Sequence, residues 1–203
     1  MRKDNVRPAQ AGPGKKLAKA ERREQLLETA MEVVRAKGAD ALTLAHVAEC
    51  AGVSKPVAYE HFGTRSNLLV TLYRRIDERQ IRVLREALEQ TPPRLETIAE
   101  VISHAALNCH ASTGPEWHAI SAALKGSEEM EAVQRELIDR CIRLYCETLA
   151  PYTVLSDTDL QLRCAGFIGA AESISAEVIR GRVGLEQATA NLAALVISGV
   201  SGD

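Results

Sequence analysis

The chain has 203 residues, of which 46% are hydrophobic, 26% are charged and 3% are aromatic. Leucine and alanine are plentiful, so the composition favours a globular helical protein over a sheet protein. No uncharged apolar stretch reaches the roughly 18 residues that a membrane span requires, and the N-terminus lacks the apolar segment of a secretory signal. We therefore expect a cytoplasmic protein with no membrane partner.

The formal net charge of −2 conceals an uneven distribution of charge along the chain. Residues 1–75 contain 14 Lys and Arg against 8 Asp and Glu, whereas residues 76–203 contain 11 against 19. A basic segment on an acidic body is typical of a protein whose first third binds a polyanion, although a basic tail without a partner has the same composition.

The cysteines are odd in number and form no Cys-x-x-Cys pair; they are Cys50, Cys109, Cys141, Cys146 and Cys164. We expect separate thiols in a reducing compartment, with redox or metal sensing as the alternative. His104, Cys109 and His110 are too loosely spaced to predict a zinc site, so we expect no metal and no other cofactor.

Proline and glycine interrupt residues 1–18, which carry the basic side chains of Arg2, Lys3, Arg7, Lys15 and Lys16. We expect a flexible arm that either reaches DNA phosphates and a minor groove or remains a solvated tail. A first helix is predicted from 19 to 37, where apolar side chains recur at spacings of three and four residues before Gly38.

Two short helices follow in the predicted order of elements. Thr43 is a favourable N-cap for a two-turn helix that ends at Gly52, and Ser54 is a second N-cap for a helix over 55–61. Pro56 is tolerated there because the first turn of a helix has no intrahelical N–H bond to lose.

A longer helix is predicted from 65 to 89, before the stop at Pro92-Pro93. Breaks rich in glycine and proline then separate five further predicted helices, over 94–111, 115–125, 128–150, 157–180 and 185–198. No segment shows the sustained alternation of a strand. The sequence therefore predicts an all-α fold of about nine helices without an internal repeat.

The two short helices and the tight turn between them have the spacing of a helix-turn-helix. Gly52 suits the turn because glycine adopts positive φ at the least cost. The second helix of such a motif enters the major groove, while hydroxyls, basic side chains and helix N-termini contact phosphates. The candidate DNA-binding residues are Thr43, Ser54, Lys55, Pro56, Tyr59, His61 and Arg65.

Residues 43–68 also resemble the N-terminal signature of the TetR family of transcriptional regulators. The positions that carry the resemblance are Thr43, Val47, Ala48, Ala51, Gly52, Val53, Ser54, Tyr59, His61, Phe62, Arg65 and Leu68. Family members commonly have Lys at the position of Arg65, where arginine keeps a phosphate-binding charge, and often have acidic residues at the positions of Ser66 and Asn67. The resemblance is close over residues 19–75 and rests on helical architecture beyond them.

The resemblance implies three segments: the arm over 1–18, an N-terminal three-helix helix-turn-helix domain over 19–66, and a C-terminal helical ligand-binding and dimerisation domain over 67–203. It further implies a homodimer whose helices over 157–180 and 185–198 pack against the partner's copies. Apolar and small residues on more than one face of the first of these helices fit burial from two sides.

Two copies of a helix-turn-helix would read a nearly palindromic double-stranded DNA operator. The resemblance implies a repressor that a small-molecule inducer releases from this operator, with the helix over 65–89 linking the two domains. The sequence does not identify the class of the inducer.

Candidate inducer contacts are the polar or aromatic side chains on the mid-chain and C-terminal helices, namely His104, Asn108, Trp117, His118, Tyr145, Phe167 and Glu172. Each of them could instead be an ordinary core residue. Glu172, which lies among small apolar residues, is the strongest candidate for a buried charge. The scarcity of aromatics argues against a stacked cage for flat multidrug cations.

The sequence contains no G-x-S-x-G, P-loop, G-x-G-x-x-G or H-E-x-x-H motif, so we do not expect an enzyme. Two alternatives stay open: a DNA-binding regulator that senses no small molecule, and an all-helical protein–protein adaptor with a vestigial helix-turn-helix. Salt-dependent binding to duplex DNA distinguishes a regulator from an adaptor, and release by a ligand distinguishes an inducible regulator from an uninducible one.

Overall fold

The structure is a computed structural model that describes residues 18–112, 120, 123 and 128–201. This part of the chain contains eight α-helices and no strand, which confirms the predicted all-α class. The helices are α1 (Lys19–Lys37), α2 (Leu44–Cys50), α3 (Lys55–Phe62), α4 (Arg65–Glu89), α5 (Leu95–Ser112), α6 (Glu128–Leu149), α7 (Asp157–Ile179) and α8 (Leu185–Ser201).

The basic arm, apart from Ala18, and most of the helix predicted over 115–125 lie outside the described residues. Short 3-10 turns at Ala39–Ala41 and Ala150–Tyr152 precede α2 and follow α6. None of the described helices combines the length and the apolar character that crossing a bilayer requires.

Hydroxyl side chains cap three of the helices, whereas Ser54, the predicted N-cap of α3, makes no capping hydrogen bond with its side chain. Thr43, Thr64 and Ser156 each accept a hydrogen bond at 3.1 Å from the backbone N–H three residues later, at the starts of α2, α4 and α7. Each such cap contributes about 1 kcal/mol of stability because it satisfies an N–H that has no partner within the helix. These caps explain why the predicted and observed helix starts agree.

Two hydrophobic cores lie along α4. The first is formed by α1, α2, α3, the N-terminal half of α4, which contributes Leu68, Leu72 and Ile76, and the first half of α6, which contributes Val133 and Leu137. The second is formed by α5 to α8 together with Leu84 in the C-terminal half of α4. A helix of 25 residues is roughly 37 Å long, so α4 is a rigid connection between the helix-turn-helix and the C-terminal helices.

Charged side chains hold the middle of α4 against α6. Arg74 donates to the Glu136 carboxylate at 2.8 Å, and one turn further along Asp77 contacts Arg140. The second pair is the less exposed of the two. Separating the two helices would leave these partly buried charges without partners, which is energetically costly. We therefore expect α4 and α6 to move together.

Helices α7 and α8 are in close contact at Gly199. A Cβ atom added to this glycine would lie 2.6 Å from Cζ and 2.8 Å from Cε1 of Phe167, well inside van der Waals contact. The Phe167 ring is itself buried in the second core. The absence of a side chain at Gly199 therefore sets the spacing between the two helices.

We expect Gly199→Ala to lower the free energy of unfolding by about 1–3 kcal/mol, because the new methyl group forces the Phe167 ring or α8 to move. Urea unfolding followed by circular dichroism measures this loss. In a Phe167→Leu background the same substitution should cost markedly less, since the clashing ring is gone. An equal loss in both backgrounds would contradict the proposed clash.

Candidate nucleic-acid interface and ligand cavity

The turn between α2 and α3 is fixed by backbone hydrogen bonds. Gly52 has φ +67° and donates to the Glu49 carbonyl at 3.1 Å, and Val53 donates to the Ala48 carbonyl at 2.9 Å. Positive φ is accessible to glycine without the strain that a side chain would bring. The turn thus holds α2 and α3 at a fixed angle over the buried Val47.

Four candidate DNA-binding residues form an exposed surface at the start and middle of α3. Ser54, Lys55 and Pro56 are exposed at its first turn, and Tyr59 is 51% exposed one turn later. The Ser54 side chain makes no capping hydrogen bond. The N-terminus of α3 therefore presents a hydroxyl, an ammonium group and an aromatic ring to a partner outside the chain.

Thr43 and His61 flank this surface. The Thr43 hydroxyl accepts the capping bond from His46 but keeps its proton for donation to a phosphate. The His61 side chain is partly exposed at the C-terminal end of α3.

Arg23 on α1 holds the C-terminal end of α3 in place. Its guanidinium donates to the His61 carbonyl at 3.0 Å, lies 4.7 Å from the centre of the Phe62 ring, and reaches Thr71 of α4 at 3.5 Å. A cation at a helix C-terminus satisfies a free carbonyl and interacts favourably with the helix dipole. In the sequence Arg23 counts only as one of the 14 basic residues of the segment 1–75, and nothing in the pattern predicts this positioning role.

Arg65 is engaged inside the domain, which differs from its predicted role as a phosphate contact. Its Nε donates to the Leu42 carbonyl and its Nη2 to the Ala39 carbonyl, both at 2.8 Å. Two donors of the guanidinium thus join the start of α4 to the segment before α2. Arginine suits this position because its planar fork can reach two carbonyl groups at once.

A cavity of about 470 Å³ lies between α4, α5, α6, α7 and α8. Its wall is mostly aliphatic, with contributions from Ile81 and Leu84 of α4, Val101 of α5 and Ile168 of α7. Polar groups from four helices interrupt this wall: Asp77, Gln80, Glu100, His104, Asn108, Tyr145 and Thr189. This combination of volume and lining is typical of a small-molecule site.

The structure brings together three of the predicted ligand residues, since His104, Asn108 and Tyr145 line the cavity. Phe167 packs against Gly199 instead, and Glu172 is exposed on α7, so the expected buried charge is absent from this position. Trp117 and His118 lie outside the described residues.

Four further polar residues line the cavity without having been predicted from the sequence, namely Asp77, Gln80, Glu100 and Thr189. For Asp77 the sequence carried a signal of an inward position. It lies next to the buried Ile76 and four residues before Ile81, so that Asp77 and Ile81 share one face of α4. Glu100 and Thr189 offered none, since a charged or hydroxyl side chain on a helix is ordinarily a surface feature.

Three cysteines lie in or beside the second core. Burial raises the pKa of the Cys141 thiol, and burial together with the neighbouring Cys146 raises the pKa of Cys164 to about 12. Because the thiolate is the reactive form of cysteine, the raised pKa values argue against redox sensing by Cys141 and Cys164. Within the described residues, no group of His, Cys, Asp and Glu side chains is arranged to hold a metal ion.

Residues 26–72 match the family described as bacterial regulatory proteins of the tetR family. The chain is 37% identical over 91 residues to the HTH-type transcriptional activator FasR of Mycolicibacterium smegmatis. The aligned part is 44% of this chain and 42% of FasR, so less than half of that relative is matched.

Solved structures share the fold. A tetR-family transcriptional regulator from Streptomyces coelicolor superposes with a TM-score of 0.69 at 19% identity, over 89% of this chain and 82% of that one. The transcriptional regulator FadR from Bacillus subtilis, solved in complex with stearoyl-CoA, gives 0.68 at 16% identity, over 87% and 98% of the two chains. All three named proteins are transcriptional regulators.

We expect Arg65→Ala to lower the free energy of unfolding by about 1–3 kcal/mol, because it removes two hydrogen bonds from a charged donor. Arg65→Lys should lose part of this, since an ammonium group does not reproduce the two-pronged geometry. Arg82→Ala, on the exposed side of the same helix, is the matched control. Urea unfolding is the measurement; full stability of Arg65→Ala with lost DNA affinity would return Arg65 to a phosphate-binding role.

Proposed function

We propose that the chain is a homodimeric repressor of transcription of the tetR family, whose family description its residues 26–72 match. In this proposal it binds a nearly palindromic operator in the cytoplasm. It leaves the operator when a small molecule occupies the cavity that helices α4, α5, α6, α7 and α8 line. The observation that carries the proposal is the exposed surface of α3, which presents Ser54, Lys55, Pro56 and Tyr59 on a helix-turn-helix.

This surface supports both kinds of DNA contact. Lys55 and Pro56 lie in the first turn of α3, where a recognition helix meets base edges: lysine can donate to guanine, and an apolar ring can contact a thymine methyl group. The free hydroxyl of Ser54, the helix N-terminus and the Tyr59 hydroxyl suit phosphate oxygens. The internal bonds of Arg23 and Arg65 give this surface a rigid base.

An exposed apolar face on α7 and α8 supports the homodimer. Leu162 on α7 is 67% exposed and Leu195 on α8 is 51% exposed. Exposed small residues continue this face along α7, at Ala165, Gly166 and Gly169. Small residues let a second pair of helices approach closely, and a contiguous apolar surface of this kind marks a protein interface.

The cavity supports the response to a small molecule, because α4 forms one of its walls. Asp77, Ile81 and Leu84 line the cavity, while Leu68 and Leu72 of the same helix lie in the core beneath the helix-turn-helix. A ligand that shifts α4 would alter the distance between the two recognition helices of a dimer. The expected coupling between ligand and operator is about 1–3 kcal/mol and acts equally in both directions.

We propose that the protein represses transcription rather than activating it. FasR, of which 42% is matched by this chain, is by contrast named as an activator. The two other functions that the sequence leaves open make different predictions. A regulator that senses no small molecule would bind the operator but show no release, and an adaptor would not bind duplex DNA in a salt-dependent manner.

Selection of duplex sites from a random pool at near-physiological salt tests operator binding, and we expect enrichment of a palindrome with half-sites about one helical turn apart or somewhat more. Tyr59→Ala should weaken binding to the selected site about tenfold, since it removes a phosphate contact and aromatic surface. Fluorescence anisotropy measures the affinity.

Ile138→Ala is the control for Tyr59→Ala, because it removes an exposed apolar side chain from α6. It should leave the affinity unchanged. Binding that stays weak and independent of sequence would contradict the proposed operator, and unchanged affinity of a folded Tyr59→Ala dimer would contradict the role of Tyr59.

The double variant Leu162→Glu, Leu195→Glu should be monomeric at micromolar concentration, because four carboxylates would face one another across the interface. Its operator affinity should fall as well, since a monomer reads only one half-site. Sedimentation velocity measures the mass. Val154→Glu is the control, as Val154 is 93% exposed in the segment before α7. A stable dimer of the double variant would place the interface elsewhere.

A further inference from the structure

We infer that the cavity lined by helices α4 to α8 binds an aliphatic amphiphile with a cationic head, such as a long-chain ammonium ion, rather than an anionic acyl compound. This inference rests on the proposed role of the cavity as the effector site and specifies the chemical class of its ligand.

The first observation is the charge of the cavity and of the groove that continues it. Asp77 and Glu100 line the cavity, and a groove between α5 and α8 shares Glu100 and adds Glu96 and Glu186. Neither lining contains a lysine or an arginine among the residues that the structure describes. A carboxylate or phosphate head would enter this space against like charge, whereas an ammonium head would be attracted.

Two of these carboxylates have no ion-pair partner in the described part of the chain. Asp77 contacts Arg140, and Glu96 lies 3.6 Å from Arg94, so each of these two carboxylates has a cationic partner. Glu100 and Glu186 are left, and Glu100 lies where the cavity and the groove meet. Glu100 is therefore the residue that we assign to the cationic head.

The second observation is a buried hydroxyl without a partner. Thr189 of α8 is 7% exposed, lines both the cavity and the groove, and its Oγ1 makes no hydrogen bond with any described residue. Thr71 and Thr148 instead donate to the carbonyl four residues earlier at 2.7 Å, as threonines at helical positions commonly do. An unsatisfied buried hydroxyl is costly, so a ligand N–H donor bonded to Thr189 would remove that cost.

The remaining wall defines the body of the ligand. It is largely aliphatic, with Ile81, Leu84, Val101 and Ile168, and Tyr145 is the sole aromatic residue among the described lining. A single aromatic ring does not form a cage for a flat aromatic cation. An alkyl chain gains from burial against aliphatic side chains without such a cage, and the volume of about 470 Å³ lies within the usual range of ligand sites.

Isothermal titration calorimetry of the full-length dimer without DNA tests the inference, with dodecylammonium and dodecanoate as probes of equal chain length below their micellar concentrations. We expect saturable binding of dodecylammonium at least about tenfold tighter than that of dodecanoate, since 1.4 kcal/mol of charge preference corresponds to a factor of ten. Equal or tighter binding of dodecanoate, or no saturable binding of dodecylammonium, would overturn the inference.

Two variants and a control locate the head group. Glu100→Gln should weaken dodecylammonium binding about three- to tenfold and leave dodecanoate no weaker, and Thr189→Val should weaken dodecylammonium about threefold. Glu147→Gln, an exposed carboxylate of α6 outside the cavity lining, should change neither affinity. Equal losses of dodecylammonium affinity in Glu100→Gln and Glu147→Gln would show that the preference for a cation comes from the general acidity of the surface. That result would overturn Glu100 as the head-group site.

Operator binding is measured separately by anisotropy with the selected DNA site. Dodecylammonium that binds tightly without releasing the operator would uphold the ligand class and contradict the proposed effector role. Dodecanoate that binds more tightly and releases the operator would uphold the effector role and overturn the ligand class.

Discussion

Helix α4 contributes Leu68, Leu72 and Ile76 to the core beneath the helix-turn-helix and Leu84 to the core of the C-terminal helices. Because a helix of this length resists bending, neither core can shift along it without the other. The same helix forms a wall of the cavity and is tied to α6 through Asp77 and Arg140. The proposed response of DNA binding to a small molecule depends on α4 together with α6, which contributes Val133 and Leu137 to the first core and Ile142 to the second.

Several basic residues of the N-terminal domain serve its own structure rather than a partner. Arg23 donates to the carbonyl of His61 at the C-terminal end of α3, and Arg65 donates to the carbonyls of Leu42 and Ala39 before α2. Lys19 pairs with Glu60 at 3.2 Å on the surface. Fewer basic side chains are therefore free to contact DNA than the charge of the sequence suggests. Lys55 and the free Ser54 hydroxyl are correspondingly more important for the proposed DNA binding.

The sequence was sufficient for the helices and for the helix-turn-helix, because both depend on local chemistry. Thr43, Thr64 and Ser156 mark helix starts through their hydroxyls, and Gly52 marks the turn through its φ. The position of a side chain relative to other helices is not local. Glu172 is exposed and Phe167 fills the gap at Gly199 because of how α7 is rotated against α8, which no pattern within α7 specifies.

We propose that the position of α4 couples the cavity to the two recognition helices of the proposed dimer. Cys50 is exposed at the end of α2, so a spin label on it, with the other four cysteines replaced by alanine, reports the distance between the two helix-turn-helix motifs. Pulsed electron–electron double resonance would compare the operator-bound dimer with the dimer saturated by an effector that releases it. We predict two separate distance distributions, and one distribution unchanged between the two states would contradict the account.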